Sequence, residues 1–212
     1  MVTIQLRQLT VPPGHRIILH KISWPEFEEI LTELGENRGS RLAYYQGNLE
    51  IKMPLPKHEV AKVIIGDLVK IILEELEIDC ECFGSTTFKR QDMNSGIEPD
   101  DSFYIQNHLQ MIGKQKIDLT IDPPPDLVIE IDVTSKTQLD AYLALAVPEV
   151  WRYEDDKLYI NILQNGKYIE SEVSPNFPNL PILPIIPQFV QESRIFGRSP
   201  TLRKFRQWLK QQ

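Results

Sequence analysis

The chain has 212 residues, of which 42% are hydrophobic and 25% charged, with a formal net charge of -7. That balance excludes a disordered chain, and the acidic surplus argues against unselective binding to nucleic acid, whose phosphates an acidic surface repels. The apolar runs stop short of the roughly 18 residues a membrane helix needs, and the opening MVTIQLRQLTVPPGHR lacks the basic and then apolar blocks of a signal peptide, so a cytoplasmic protein with no membrane partner is expected.

In chain order, an unpatterned start gives way to a helix that Ser23 can cap, with Pro25 in its first turn, Phe27, Ile30, Leu31 and Leu34 along it and Gly35 at its end. RLAYYQGNLEIKM then sets Gly47 and Asn48 between two strand-like runs, a hairpin signal. PLPKHE leads into a long helix from about Glu59 to Leu76, on which Val60, Val63, Ile64, Leu68, Ile71 and Ile72 predict a wide buried stripe. Strands are expected at about Cys80 to Lys89, Pro99 to Ile105 and Leu127 to Val133, with loops rich in Gly, Asn and Pro between them. Another helix, capped by Thr134 or Ser135, runs through KTQLDAYLALAV to Pro148, and EVWRYEDD with KLYINILQ forms a strand pair turning at Asp155 and Asp156.

Farther on, SPNFPNLPILPIIP spaces Pro175, Pro178, Pro181, Pro184 and Pro187 by three. That period permits a polyproline helix for a proline-reading partner, but the interleaved Leu180, Ile182, Leu183, Ile185 and Ile186 favour burial, so an extended arm wrapped on the chain's own body is expected over 174–187. From Gln191 onward six bases oppose the single acid Glu192. Ser199 and Pro200 start a helix over 199–211 with Leu202, Phe205, Trp208 and Leu209 on one face, which reads as a docked helix with a basic outer side, a DNA-binding element being the alternative. Cys80 and Cys82 read as reduced packing residues, and the four histidines show no zinc-ligand spacing.

The chemistry concentrates in two acidic strands. In DLVIEIDVTSK, alternation puts Leu127, Ile129, Ile131 and Val133 on one face and Asp126, Val128, Glu130 and Asp132 on the other. In GIEPDDSFYI, Asp101 goes with Phe103 and Ile105 while Asp100 goes with Ser102 and Tyr104. If these strands are neighbours, Asp100 and Glu130 converge, and their repulsion is relieved by a proton or by a hard, oxygen-seeking cation such as Mg²⁺ or Mn²⁺. A solvated acidic face is the bland reading of the same pattern. Glu59, in the first turn of the long helix, either serves the helix dipole or faces the sheet with Val63 and Gly66. His58 beside it can cap, support a loop or touch a phosphate. Lys136 stands at the unfavourable end of a helix dipole directly after the acidic strand, from which it can reach the space above Glu130.

Taken together, PLPKHE, GSTTFKRQD, GIEPDDSFYIQN, DPPPDLVIEIDVTSK and AVPEVWRY resemble the Uma-type endonuclease-like domains of the PD-(D/E)XK nuclease superfamily, over about Trp24 to Phe189. The resemblance implies an α/β (α+β) fold, a restriction-endonuclease-like mixed sheet flanked by helices with an N-terminal hairpin extension, as one domain over 1–212 with its core at about 56–163. It further implies an endonuclease that hydrolyses DNA with Mg²⁺ or Mn²⁺ and works as a homodimer. The superfamily's strand aspartate matches Asp100, its next-strand acid Glu130 and its first-helix glutamate Glu59, with Asp132 a further metal candidate. The superfamily's lysine would fall at Asp132, an acid here. Lys136 is the expected substitute, with Lys89 behind it. The missing lysine also leaves a second reading, a catalytically silent module that binds a partner or nucleic acid.

Overall fold

The computed structural model describes residues 8–35, 38–132 and 135–212, without the side chains of 136 and 137. The chain begins with β1 (Arg16–His20), α1 (Trp24–Leu34), β2 (Arg41–Tyr45), β3 (Asn48–Lys52) and α2 (Pro56–Glu75). Short strands follow: β4 (Glu81–Cys82), β5 (Phe88–Arg90), β6 (Ser95–Ile97) and β7 (Asp101–Tyr104). Then come α3 (His108–Met111), β8 (Leu127–Ile131), α4 (Lys136–Ala144), β9 (Glu149–Glu154), β10 (Lys157–Gln164), β11 (Lys167–Ser171), α5 (Ile182–Phe196) and α6 (Arg198–Leu209). The strands build a small sheet, ordered β1-β3-β2-β6-β5, and a large one, ordered β11-β10-β9-β8-β7-β4. Among the described residues only β8 and β9 pair in parallel, and α4 is the crossover that parallel strands require.

Local chemistry explains several elements. Ser23 donates from its backbone N–H and its hydroxyl to Glu26, at 2.7 and 2.6 Å, which fixes the start of α1. Gln46 and Gly47 both adopt positive φ, 47° and 82°, the conformation a two-residue hairpin turn demands between β2 and β3. Ser135 caps α4 by accepting from the Gln138 N–H at 3.3 Å.

Other expectations are corrected. The single strand expected from Cys80 to Lys89 is two short strands in different sheets, because Gly84, at φ 56°, turns the chain between them. The start of the chain contributes β1, and β11 adds a hairpin arm that the sequence pattern did not announce. The proline-rich stretch is helical from Ile182, not extended: Pro184 sits in the first turn, where its missing N–H has no partner to lose, while Pro187 lies inside the helix. Its apolar residues Ile182, Ile185, Ile186, Phe189 and Val190 are indeed buried.

The large sheet divides the core. On one face, Leu127, Ile129, Ile131 and Phe103 pack with α2, α5 and α6. The buried stripe of α2 comprises Ile64, Leu68, Ile71 and Ile72, whereas Val60 and Val63, nearer the helix start, are exposed. α6 docks through Phe205 and Leu209, and several of its bases meet acids: Arg206 reaches Glu74 and Glu75, and Lys204 reaches Glu192. On the other face, Val128 and Tyr104 meet α4 and the inner side of the small sheet, represented by Ala43 and Ile97. The outer side of the small sheet is sealed by α1, with Phe27 stacked on Tyr44 at 4.5 Å between ring centres. Thus β7 and β8 present one face to a space closed by α4 and by the ends of β2 and β3.

Candidate active site

Alternation along β8 turns Glu130 toward that closed space, and the antiparallel register of β7 on β8 brings Asp100 to the same side. Asp100, just before β7, is buried, and its Oδ2 accepts from the Ile131 N–H at 2.8 Å. Glu130 is 2% exposed and accepts from the hydroxyl of Tyr142 on α4. Together with Arg41, Lys52, His58 and Gln138 the two carboxylates line one small pocket. Burial, reinforced by the Asp100 charge, pushes Glu130 up to about 8, and burial likewise raises Asp100.

The cations around this pair come from the hairpin. Lys52 donates to the carbonyls of Ile131 and Asp132, at 3.1 and 2.6 Å, clamping the end of β8. Arg41 stands opposite Lys52 in the β2–β3 register. At the start of α2, His58 Nε2 lies 2.9 Å from the Asp132 carboxylate. Burial lowers the pKa of His58 more than the Asp132 charge raises it, so at neutral pH the ring donates from Nε2 and supports the loop after β8. Among the described residues three buried atoms in this pocket have no partner: Arg41 Nε, His58 Nδ1 and Gln138 Oε1. Unsatisfied buried polar atoms are costly, so their concentration marks a place prepared for a polar ligand.

Asp100 and Glu130 therefore meet as expected, and other candidates do not join them. Glu59 has a side chain 45% exposed and 3.8 Å from Lys62, outside the residues that line the pocket. Asp132 lies one residue beyond β8 with φ 61°, so strand alternation no longer places it, and its carboxylate serves His58. The backbone of Lys136 opens α4, while its side chain lies outside the described residues. Lys89 belongs to β5 of the small sheet and binds Glu28 at 2.6 Å. It faces a separate, larger cleft of about 790 Å³, in which Lys89 is paired with Glu28 and Arg38 with Glu98. Asp126 is structural: its carboxylate accepts from the backbone of Ile105 and Asn107 and from the Asn107 side chain.

Arg41, Lys52, Gln138 and Tyr142 were not legible as site residues. Arg41 and Lys52 look like ordinary charged strand ends, and only the packing of the small sheet against the large one sends them inward. The one local signal was at Tyr142, twelve residues after Glu130 on the helix that crosses over the same face.

Among the described residues no group of three or more His, Cys, Asp or Glu is arranged to hold a metal ion. The pair does fit a hard divalent cation: two carboxylates, each with one oxygen held by a donor and the other without one, are kept side by side where only a proton or a cation relieves their repulsion. Among the described residues no helix is long and apolar enough to cross a membrane.

Comparison with known proteins agrees with this architecture. No curated protein matches. A solved structure from Anabaena variabilis, described as a "putative nuclease belonging to DUF820", superposes with a TM-score of 0.50 at 17% identity, covering 85% of this chain and 99% of that one. Its likeness is one of fold, an α+β arrangement of sheets flanked by helices. The Uma2 family, described as "Putative restriction endonuclease", matches residues 24–194. That span contains the hairpin, both acidic strands and the crossover helix, and the chain belongs to the Uma2 family of restriction-endonuclease-like proteins.

Proposed function

We propose that this protein is an endonuclease that hydrolyses phosphodiester bonds in DNA with the help of Mg²⁺ or Mn²⁺. The observation that carries the reading is the pair of buried carboxylates, Asp100 and Glu130, sharing one pocket with cations and unpartnered polar atoms. Asp100 and Glu130 would hold the cation, and Glu130 would release its proton as it does so. When bound, the cation supplies Lewis acidity at a phosphate and lowers the pKa of water. The Ile131 N–H orients Asp100, the Tyr142 hydroxyl orients Glu130, and Lys52 fixes the end of the strand that carries Glu130. Lys136 is retained as a candidate for assisting the attacking water or steadying charge on the phosphate.

A second reading has a specific observation behind it. The position of the superfamily lysine is Asp132, and its carboxylate is committed to His58, which suits a nuclease fold kept for binding without cleavage. The deciding experiment incubates pure protein with plasmid and with single-stranded DNA over several Mn²⁺ concentrations, beside an Asp100→Asn, Glu130→Gln double variant. Nicking that the double variant lacks is expected. No cleavage of either DNA at any Mn²⁺ concentration would instead support the silent module.

A further inference from the structure

We propose that Arg41 is the residue that grips the substrate's phosphate, through a guanidinium that the small sheet delivers beside the buried carboxylates without a hydrogen-bond partner among the described residues. Identifying the anion as a phosphodiester rests on the nuclease reading, whereas the anion site itself rests on the following geometry.

Arg41 and Lys52 face each other directly across β2 and β3. Like charges in that relation destabilise a sheet, so the arrangement requires a compensating anion. Lys52 finds partial compensation in the carbonyls of Ile131 and Asp132. Arg41 is compensated only through space, by the charges of Asp100 and Glu130: among the described residues it makes no hydrogen bond or ion pair, although it lines the same pocket as those carboxylates, and its Nε is buried without a partner. A guanidinium kept only to neutralise those carboxylates would fork onto one of them, which is the strongest geometry open to it. Instead Asp100 takes the Ile131 N–H and Glu130 takes Tyr142, leaving the fork unused.

One further polar group comes from α4. Gln138, only 5% exposed, also lines the pocket, and among the described residues its Oε1 has no partner. That oxygen is an acceptor, so it suits a cation or a donor and leaves the anion to Arg41. With a divalent cation on the carboxylates, their charge is spent and the adjoining guanidinium is the complement of an anion. Its planar donors match two oxygens of a phosphate, a match that a lysine in the same place would not reproduce.

The test needs no cleavage. Protein labelled with ¹⁵N is titrated with inorganic phosphate, with and without Mg²⁺, following the Arg41 Nε–Hε resonance, which is assigned by its loss in Arg41→Gln. A saturable shift is expected, with phosphate binding weakened about 10- to 100-fold in Arg41→Gln and by an intermediate factor in Arg41→Lys, which keeps the charge without the fork. Mn²⁺ affinity should be unchanged or higher in both variants, since a neighbouring cation is removed or preserved and no ligand is lost. Circular dichroism confirms that each variant is folded, and Arg41→Lys carries the test if Arg41→Gln is not. A resonance that phosphate leaves in place under both conditions would overturn the proposal. So would DNA nicking by both variants at wild-type kcat and KM, and that result would leave the nuclease reading standing. Conversely, a protein that never nicks DNA but shows the Arg41 shift keeps the anion site and loses the nuclease.

Discussion

Glu130 is buried at a cost that a ligand can recover. Its carboxyl titrates at an ordinary 4.5 in the unfolded chain and is pushed up to about 8 by burial and then by Asp100, so between these values the folded state holds a proton that the unfolded state has lost. The sign follows: the stability linked to this group is fully present below about 4.5 and is lost as pH rises through about 8. Metal-free protein should therefore melt at progressively lower temperature from pH 5 to pH 8, with a loss on the order of a few kcal/mol. Burial raises Asp100 in the same direction, which makes Glu130→Gln the necessary comparison. That variant should flatten the slope, and Mg²⁺ or Mn²⁺ should restore the wild type at pH 8 by binding the folded state. Parallel melting curves for wild type and variant across this range would show that Glu130 is not the buried acid described. The acidic face of the strand was legible from alternation alone, because period two needs no tertiary information. The neighbours that decide its pKa were not legible.

At the scale of the element, two lysines stand in different contexts, Lys136 at the start of α4 and Lys52 at the end of β3. Lys136 opens α4, where the positive end of the helix dipole disfavours it. Replacing it with Met should change stability by only a few tenths of a kcal/mol and leave metal affinity intact. Cleavage should fall about 100-fold or more if its ammonium acts in the transition state. Lys52 instead clamps the carbonyls of Ile131 and Asp132, so Lys52→Met should cost about 1–3 kcal/mol as well as activity. Paired measurements of melting and cleavage separate the two. A Lys136→Met protein that cleaves at the wild-type rate would transfer the role to Lys52. Helix caps and hairpin turns could be read from sequence because a few adjacent residues determine them, as at Ser23 and Gly47. The break at Gly84 was not, since which sheet each half of that run joins depends on strands far along the chain.

Across the whole molecule, the pocket and the C-terminal helices lie on opposite faces of the large sheet, so stability and function should separate. Phe205 is fully buried, meets Phe189 at 4.9 Å and stacks on Trp208 at 5.6 Å. Phe205→Ala should cost about 3–5 kcal/mol by emptying that cluster, while metal affinity of the remaining folded protein stays at the wild-type value. A large loss of metal affinity in folded Phe205→Ala would mean that the two faces are coupled. By itself the sequence determined the periodic and local features: the amphipathic helices, the hairpin, the acidic strand faces, the convergence of Asp100 with Glu130 once neighbouring strands are granted, and the family resemblance. It also determined that the apolar residues among the prolines would be buried, but not that they would be helical, since Pro184 is harmless only in a first turn whose start is set by docking. Only the tertiary structure decided that Arg41 and Lys52 turn into the pocket, that Asp132 leaves it for His58, and that Glu59 stays outside. Those outcomes depend on how one sheet is laid against another and on a left-handed residue at the end of β8, contacts between segments some eighty residues apart that no local pattern encodes.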